Sequence, residues 1–110
     1  MKIATWNVNS IKARLPHLLD WCAQESPDVL LLQETKTVDD GFPRLELESL
    51  GYHIAIFGQK AYNGVAVLSR FPIIQTLRGL PGNPEQGEAR YIEAHLQPPD
   101  QNEPICVASI

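Results

Sequence analysis

Two short apolar runs that end on polar residues constrain the fold of this chain most. They are residues 3–9 (IATWNVN) and residues 28–36 (DVLLLQETK). The second run is apolar without alternation, which is typical of a strand covered on both faces. Between the runs, apolar residues recur at helical spacing over residues 18–22. This pattern predicts a strand–helix–strand unit with two parallel strands and a right-handed crossover.

The boundaries of these elements follow from proline and turn signals. We expect strands at 2–8 and 28–34 and a helix with Pro16 in its first turn, because the N–H that proline lacks has no partner there. Ser26 and Pro27 end that helix. Later signals predict a loop at 80–87 and a hairpin formed by 52–57 and 65–69. The remaining predicted elements are a short helix at 43–50 and strands at 73–77, 91–96 and 105–110.

The composition of the chain limits which classes of protein it can belong to. With 110 residues, 44% hydrophobic, the chain is one domain or part of one. Its net charge is −4, so the chain has no overall excess of basic residues of the kind that is typical of nucleic-acid-binding proteins. Any site for a polyanion must therefore be local. Cys22 and Cys106 stand in apolar stretches and are expected to be buried, reduced thiols. The longest strictly apolar run is too short for a membrane span, and we expect a cytoplasmic location.

Asn7 and Glu34 end the two predicted strands. If the strands are neighbours, an amide oxygen and a carboxylate reach one sheet edge together, and oxygen ligands of this kind suit Mg²⁺. Other interpretations of each residue are open. Glu34 could form a solvated salt bridge with Lys36, and Asn7 could make an Asx turn or cap a helix.

Basic residues follow both strands and the hairpin loop. Lys12 and Arg14 come after the first strand, in the loop expected to lead to the helix. Lys36 comes after the second strand, and Lys60 and Asn63 lie in the hairpin loop. If these segments meet at one rim, they form a phosphate cradle in an otherwise acidic protein. Ordinary surface charge is the alternative for each residue.

Arg90 and the histidines carry weaker signals. Arg90 follows an acidic stretch and either contacts a ligand or forms a salt bridge with Glu88 or Glu93. No two of the three histidines have a spacing that indicates a joint metal site, and we expect structural roles for them. They are His17, His53 and His95.

Three sequence blocks resemble a known family. Residues 6–14 (WNVNSIKAR), 31–36 (LLQETK) and 58–69 (GQKAYNGVAVLS) are similar to the first signature blocks of exodeoxyribonuclease III, within the endonuclease/exonuclease/phosphatase family. The resemblance implies the N-terminal part of a four-layer α/β sandwich, with two packed mixed β-sheets flanked by helices. It also implies that Asn7 and Glu34 are catalytic residues that hold Mg²⁺ or Mn²⁺. It suggests that the loops carrying Lys12, Ala13, Arg14, Lys60 and Asn63 approach the DNA backbone. The residue pattern adds Lys36 and Arg90 to the residues expected to contact DNA or phosphate.

The activity implied is a metal-dependent DNA-repair nuclease. Such enzymes act on double-stranded DNA at abasic sites and at 3′ ends, by attack of water on phosphorus. Two alternatives are open. The chain could belong to another phosphoesterase of the same superfamily, or it could be a non-catalytic fragment that binds nucleic acid or a partner.

Later motifs of the family are missing from residues 1–110. They are a tyrosine, an aspartate–asparagine pair that positions water, and an aspartate–histidine pair. We therefore expect residues 1–110 to be the N-terminal part of a single domain, truncated before its C-terminal half and inactive alone. We also expect the strands at 52–57, 65–69, 91–96 and 105–110 to lack cover on their apolar faces. The fragment alone should then be marginally stable, oligomeric or chaperone-dependent.

Overall fold

The computed structural model describes residues 1–80 and 88–110. Apart from Leu80, the loop expected at 80–87 lies outside this description. In chain order the elements are β1 (Ile3–Asn7), α1 (Ile11–Glu25), β2 (Val29–Gln33), a 3₁₀ turn (Asp39–Gly41), α2 (Arg44–Glu48), β3 (His53–Phe57), β4 (Val65–Ser69), β5 (Ile73–Arg78), β6 (Ile92–Leu96) and β7 (Ile105–Ser109).

Helix α1 begins at Ile11, which corrects the expectation that Pro16 stands in its first turn. The hydroxyl of Ser10 accepts a hydrogen bond of 3.3 Å from the N–H of Ala13. A side-chain cap of this kind satisfies one of the free N–H groups at a helix start, so the helix begins at the cap. Pro16 lies inside the helix, where its missing N–H removes one backbone hydrogen bond.

The first sheet has the strand order β1-β2-β4-β3. β1 and β2 are parallel, which confirms the strand–helix–strand prediction, and β3 and β4 form the predicted hairpin. β4 is buried along its whole length, because it lies in the interior of the sheet and both of its faces are covered. This rigid sheet positions the C-terminal ends of β1 and β2 side by side.

The second sheet has the order β5-β6-β7, and its three strands are antiparallel. It packs face to face on the first sheet. Ala55 and Val67 of the first sheet share one apolar cluster with Ile92, Ala94 and Leu96 of β6. The prediction that the inner strand faces lack cover is therefore wrong, because the two sheets cover each other.

The helices cover the other face of the first sheet. Leu18 and Cys22 of α1 and Leu47 of α2 pack with Leu30 and Leu68 in a second apolar cluster. The described residues thus form an α/β fold with one helical layer and two sheets. Within residues 1–80 and 88–110, no helix covers the outer face of the second sheet.

The two cysteines differ in environment. Both are free thiols, but only Cys22 is buried, and Cys106 is exposed. The expectation of two buried thiols is wrong for Cys106, because β7 ends the second sheet and Cys106 alternates away from the core. Within the described ranges, neither helix has the combination of length and apolar character that crossing a membrane requires.

Candidate metal and phosphate site

Asn7 and Glu34 meet at one edge of the first sheet. Asn7 is the last residue of β1 and lies opposite Gln33 in the parallel register. Glu34 directly follows Gln33, the last residue of β2. The Nδ2 of Asn7 donates a hydrogen bond of 2.6 Å to Oε2 of Glu34. Their predicted proximity is therefore confirmed, whereas their role as metal ligands stays a prediction.

Lys36 flanks the carboxylate of Glu34. Its Nζ lies 3.6 Å from Oε1 of Glu34 and donates a hydrogen bond of 2.5 Å to Oδ1 of Asn9. The salt bridge that the sequence left open is thus present, and as a partly exposed ion pair it contributes little to stability. The hydrogen bond from Asn7 and, to a smaller extent, the charge of Lys36 lower the pKa of Glu34 against the opposing effect of burial. The carboxylate is therefore ionised at neutral pH.

A hard divalent ion fits these donors. The carboxylate of Glu34 is ionised and partly exposed, and such oxygens are preferred ligands of Mg²⁺ and Mn²⁺. The Oδ1 of Asn7 accepts a hydrogen bond of 3.1 Å from the N–H of Asn9, while Nδ2 faces Glu34. Asn7 is thus placed to orient the carboxylate. For Oδ1 to bind the same ion directly, the amide must turn over and exchange these contacts.

A cleft of about 400 Å³ opens beside the pair. Asn7 and Glu34 line it together with Asn63 from the loop between β3 and β4 and Arg90 from the segment before β6. Two residues expected to contact phosphate thus share a cleft with the two residues expected to hold the metal. The arrangement has an anionic centre with a guanidinium and an amide at its rim, which suits a metal-neutralised phosphate.

Gln59 holds two walls of this cleft together. Its Oε1 accepts hydrogen bonds from Nδ2 of Asn63 at 3.1 Å and from the N–H of Ala89 at 2.8 Å. The N–H of Gly64 also donates to the carbonyl of Ala89 at 2.9 Å. The positions of Asn63 and Arg90 are therefore fixed through backbone and side-chain bonds between two distant segments.

Arg90 also has a partner of its own. Its Nε lies 3.0 Å from Oε2 of Glu88, and both side chains are largely exposed. The sequence left a salt bridge and a ligand contact open for Arg90, and the salt bridge to Glu88 is present. Because an exposed pair is weak, the guanidinium can exchange Glu88 for a phosphate.

Five predicted DNA-contacting residues lie outside the lining of the cleft: Lys36, which contacts Glu34, and four others. Lys12, Ala13 and Arg14 belong to the first turns of α1 rather than to a loop, which corrects the predicted loop placement. The ammonium group of Lys12 lies beside Gly41. Lys60 is exposed in the hairpin loop. The structure does not bring these four side chains to Glu34, and their contact with DNA stays a prediction.

Comparisons with known proteins identify the family of this chain. The profile of the Endonuclease/Exonuclease/phosphatase family matches residues 4–102. The chain belongs to this family. It is 40% identical over 98 residues to exodeoxyribonuclease III of Haemophilus influenzae, an alignment that covers 88% of this chain and 36% of that protein.

Two solved structures are also similar. A 3′ phosphatase, NExo, from Neisseria, bound to a product DNA hairpin, has a TM-score of 0.85 and 45% identity, with 87% of this chain and 37% of that chain covered. An AP endonuclease from Archaeoglobus fulgidus has a TM-score of 0.82 and 40% identity, with 87% and 37% covered. The chain thus spans little more than a third of the length of these family members, and its fold is that of their N-terminal part.

Sequence reasoning missed two glutamines that support the site in this family member. Gln33 donates hydrogen bonds to Oγ1 of Thr5 at 2.9 Å and to Oγ of Ser109 at 3.0 Å, and so joins β1 and β2 to β7. Gln59 joins the hairpin loop to Ala89. Both stand next to polar motif residues, but their partners are far along the chain. No spacing in the sequence could have identified those partners.

Proposed function

We propose that the protein containing this chain is a divalent-metal-dependent DNA-repair nuclease. It would act as a 3′–5′ exonuclease and as an abasic-site endonuclease, hydrolysing phosphodiesters of double-stranded DNA. The observation that carries the proposal is the Asn7–Glu34 pair in a cleft shared with Asn63 and Arg90. The names of the similar proteins, an exodeoxyribonuclease III, a 3′ phosphatase and an AP endonuclease, support it.

Each residue has a separate role in this proposal. Glu34 binds Mg²⁺ or Mn²⁺, and Asn7 orients its carboxylate. The bound ion supplies positive charge that neutralises the phosphoryl oxygens. Arg90, Asn63 and Lys36 bind the phosphate and the DNA backbone around it.

The 110-residue polypeptide alone is proposed to be inactive. Among the described residues that line the cleft, Glu34 is the one acidic side chain and none is a histidine. Glu34 is committed to the ion, so no second group remains there to accept a proton from attacking water. Self-association of this polypeptide and a cytoplasmic location stay predictions.

Replacement of Glu34 in the whole protein tests the proposal. We expect Glu34→Gln to raise the Mg²⁺ concentration needed for half-maximal cleavage and to lower the rate by at least ~100-fold, because the neutral amide cannot replace a charged ligand. The assay is single-turnover cleavage of a duplex with one abasic site, and of a duplex with a recessed 3′ end. Glu46→Gln is the matched control, since Glu46 is exposed on α2, away from the cleft.

Two outcomes would contradict the proposal. Equal Mg²⁺ dependence of Glu34→Gln and Glu46→Gln would show that Glu34 is not a ligand. Absence of Mg²⁺-dependent cleavage of either DNA by the wild-type protein would instead favour another phosphoesterase substrate.

A further inference from the structure

The outer face of the second sheet carries a second group of metal-ligating side chains. Along β6, Ile92, Ala94 and Leu96 enter the core between the sheets, so Glu93 and His95 point to the opposite face. Cys106 of β7 lies directly opposite His95 in the antiparallel register. The sheet therefore presents a carboxylate, an imidazole and a thiol side by side on its outer face, and none of the three lines the cleft.

The distances match a shared ion. Nε2 of His95 lies 2.9 Å from Oε2 of Glu93 and 3.8 Å from Sγ of Cys106. All three ligand atoms lie within 4.8 Å of one another. In a tetrahedral Zn²⁺ site, bonds of about 2.0–2.3 Å place neighbouring ligand atoms roughly 3.3–3.6 Å apart. Small rotations of the side chains thus suffice to close around one ion.

The donor types select the class of metal. Imidazole nitrogen and thiolate sulfur favour a borderline ion such as Zn²⁺ over Mg²⁺, which requires oxygen ligands. We propose that Glu93, His95 and Cys106 form a three-ligand binding site for Zn²⁺, with a fourth position left to water. This site is separate from the proposed Mg²⁺ site at Glu34, and the inference does not rest on the nuclease function.

Tyr91 strengthens the site by fixing the carboxylate. Its hydroxyl donates a hydrogen bond of 2.8 Å to Oε1 of Glu93, which leaves Oε2 facing His95. Partners of this kind commonly orient metal ligands in proteins. Among the residues that the structure describes, Glu93 has no Lys or Arg partner, so its negative charge is available to a cation.

Without a cation, the surroundings of Cys106 favour the neutral thiol over the thiolate. Burial and, next, the neighbouring Glu93 carboxylate raise the pKa of Cys106. A cation between the two groups would reverse this repulsion and stabilise the thiolate. A histidine–glutamate hydrogen bond without any metal is the competing interpretation, and it predicts no role for Cys106.

Spectroscopy with Co²⁺, as a probe for Zn²⁺, tests the site. The purified protein is titrated with Co²⁺ in excess Mg²⁺, which occupies oxygen-ligand sites. We expect one equivalent to bind, with the visible bands of tetrahedral Co²⁺ and a thiolate charge-transfer band, and with displacement by Zn²⁺. Cys106→Ser should lose the charge-transfer band, and His95→Gln should lose stoichiometric binding. Tyr91→Phe should weaken binding by about tenfold.

Matched controls separate this site from others. His53→Gln changes an exposed histidine of β3, and Glu34→Gln changes the cleft, so both should retain the full spectrum. An octahedral spectrum without a thiolate band would overturn the proposal. So would a spectrum that persists unchanged in Cys106→Ser, since it would then arise elsewhere, for example from Cys22.

A second measurement needs no variant. Zn²⁺ should slow alkylation of Cys106 by iodoacetamide, as followed by mass spectrometry, because a metal-bound thiolate is shielded. Cys22 is buried and should react slowly with or without Zn²⁺. Equal alkylation rates of Cys106 in the presence and absence of Zn²⁺ would contradict the site even if the substituted chains do not fold.

Discussion

At the scale of residues, the backbone of the candidate site is held in an uncommon conformation. Glu34 and Lys36 have positive φ angles of 55° and 56°, and the intervening Thr35 is buried. For residues other than glycine this conformation costs on the order of 1–2 kcal/mol. Strain of this type persists where surrounding contacts fix it, and it is concentrated at functional sites.

Hydrogen bonds on both sides provide that fixation. The carbonyl of Glu34 accepts from the N–H of Ser10 at 2.9 Å, and the N–H of Lys36 donates to the carbonyl of Asn63 at 2.9 Å. The N–H of Thr35 donates to the carbonyl of Gly64 at 3.2 Å. The segment that carries Glu34 is thus held between the start of α1 and the hairpin loop.

Gly64 packs against this segment and leaves no room for a side chain. Its φ is 92°, and a Cβ there would overlap the hydroxyl of the buried Thr35. We expect Gly64→Ala to lower the free energy of unfolding by about 2–4 kcal/mol, from backbone strain and overpacking together. Urea denaturation of the wild-type and variant chains measures the difference.

Gly51→Ala is the control for backbone strain alone. Gly51 has a φ of 95°, but an added Cβ would meet only the flexible end of the Arg70 side chain. We expect a loss of about 1–2 kcal/mol there. Equal losses at Gly51 and Gly64 would show that contact with Thr35 has no energetic role.

The predictability of the site depends on sequence separation. The proximity of Asn7 and Glu34 could be predicted because each ends an apolar strand of one strand–helix–strand unit, and parallel neighbours end at the same edge. The group of Glu93, His95 and Cys106 could not, because it depends on the register between β6 and β7. Register is set by packing of the whole sheet, and the spacing of the residues does not reveal it.

At the scale of elements, α1 shows how one local signal overrides another. The sequence contains a proline that fits a helix start and, before it, a serine that can cap one. In the structure Ser10 caps the helix and Pro16 lies in its interior. The hairpin strands β3 and β4 could be predicted well because each is an apolar run and the loop between them contains Gly64, a typical turn residue.

Interior proline should limit the stability of α1. Pro16 is exposed, removes one backbone hydrogen bond and crowds the preceding turn. We expect Pro16→Ala to raise the free energy of unfolding by about 1–2 kcal/mol, since the gain in the helix exceeds the entropy that proline removes from the unfolded chain. Thermal unfolding followed by circular dichroism measures the change.

The neighbouring position provides the comparison. His17 is also exposed on α1, and His17→Ala should gain no more than about 0.7 kcal/mol from helix propensity. If Pro16→Ala were neutral or destabilising relative to His17→Ala, the proline ring would be stabilising α1 in a way that backbone hydrogen bonding does not explain.

At the scale of the whole molecule, the two sheets cover each other, but the second sheet has an exposed outer face. The sequence predicted two packed sheets from the family resemblance, yet it could not show that β5–β7 already cover the first sheet. Their pairing depends on contacts between strands distant in sequence. On β5, Ile74 remains 57% exposed and Leu77 38% exposed.

The form of β5 determines what kind of association is expected. The register between β5 and β6 shifts between Ile73 and Gln75, which interrupts the regular edge of the sheet. An irregular edge opposes pairing with a strand of another molecule. At β5 we therefore expect association through apolar side chains of the outer face rather than through the strand edge, and this association should be insensitive to salt.

Sedimentation of the 110-residue polypeptide tests this expectation. We expect concentration-dependent association at low and high salt, and Ile74→Lys should weaken it by at least about tenfold, because burying an isoleucine side chain contributes about 1.5–3 kcal/mol. Leu45→Lys, which changes a residue 79% exposed on α2, should leave association unchanged. A stable monomer at every concentration would refute self-association. Equal weakening by both lysine variants would instead show that the added positive charge, and not the loss of an apolar contact on β5, opposes association.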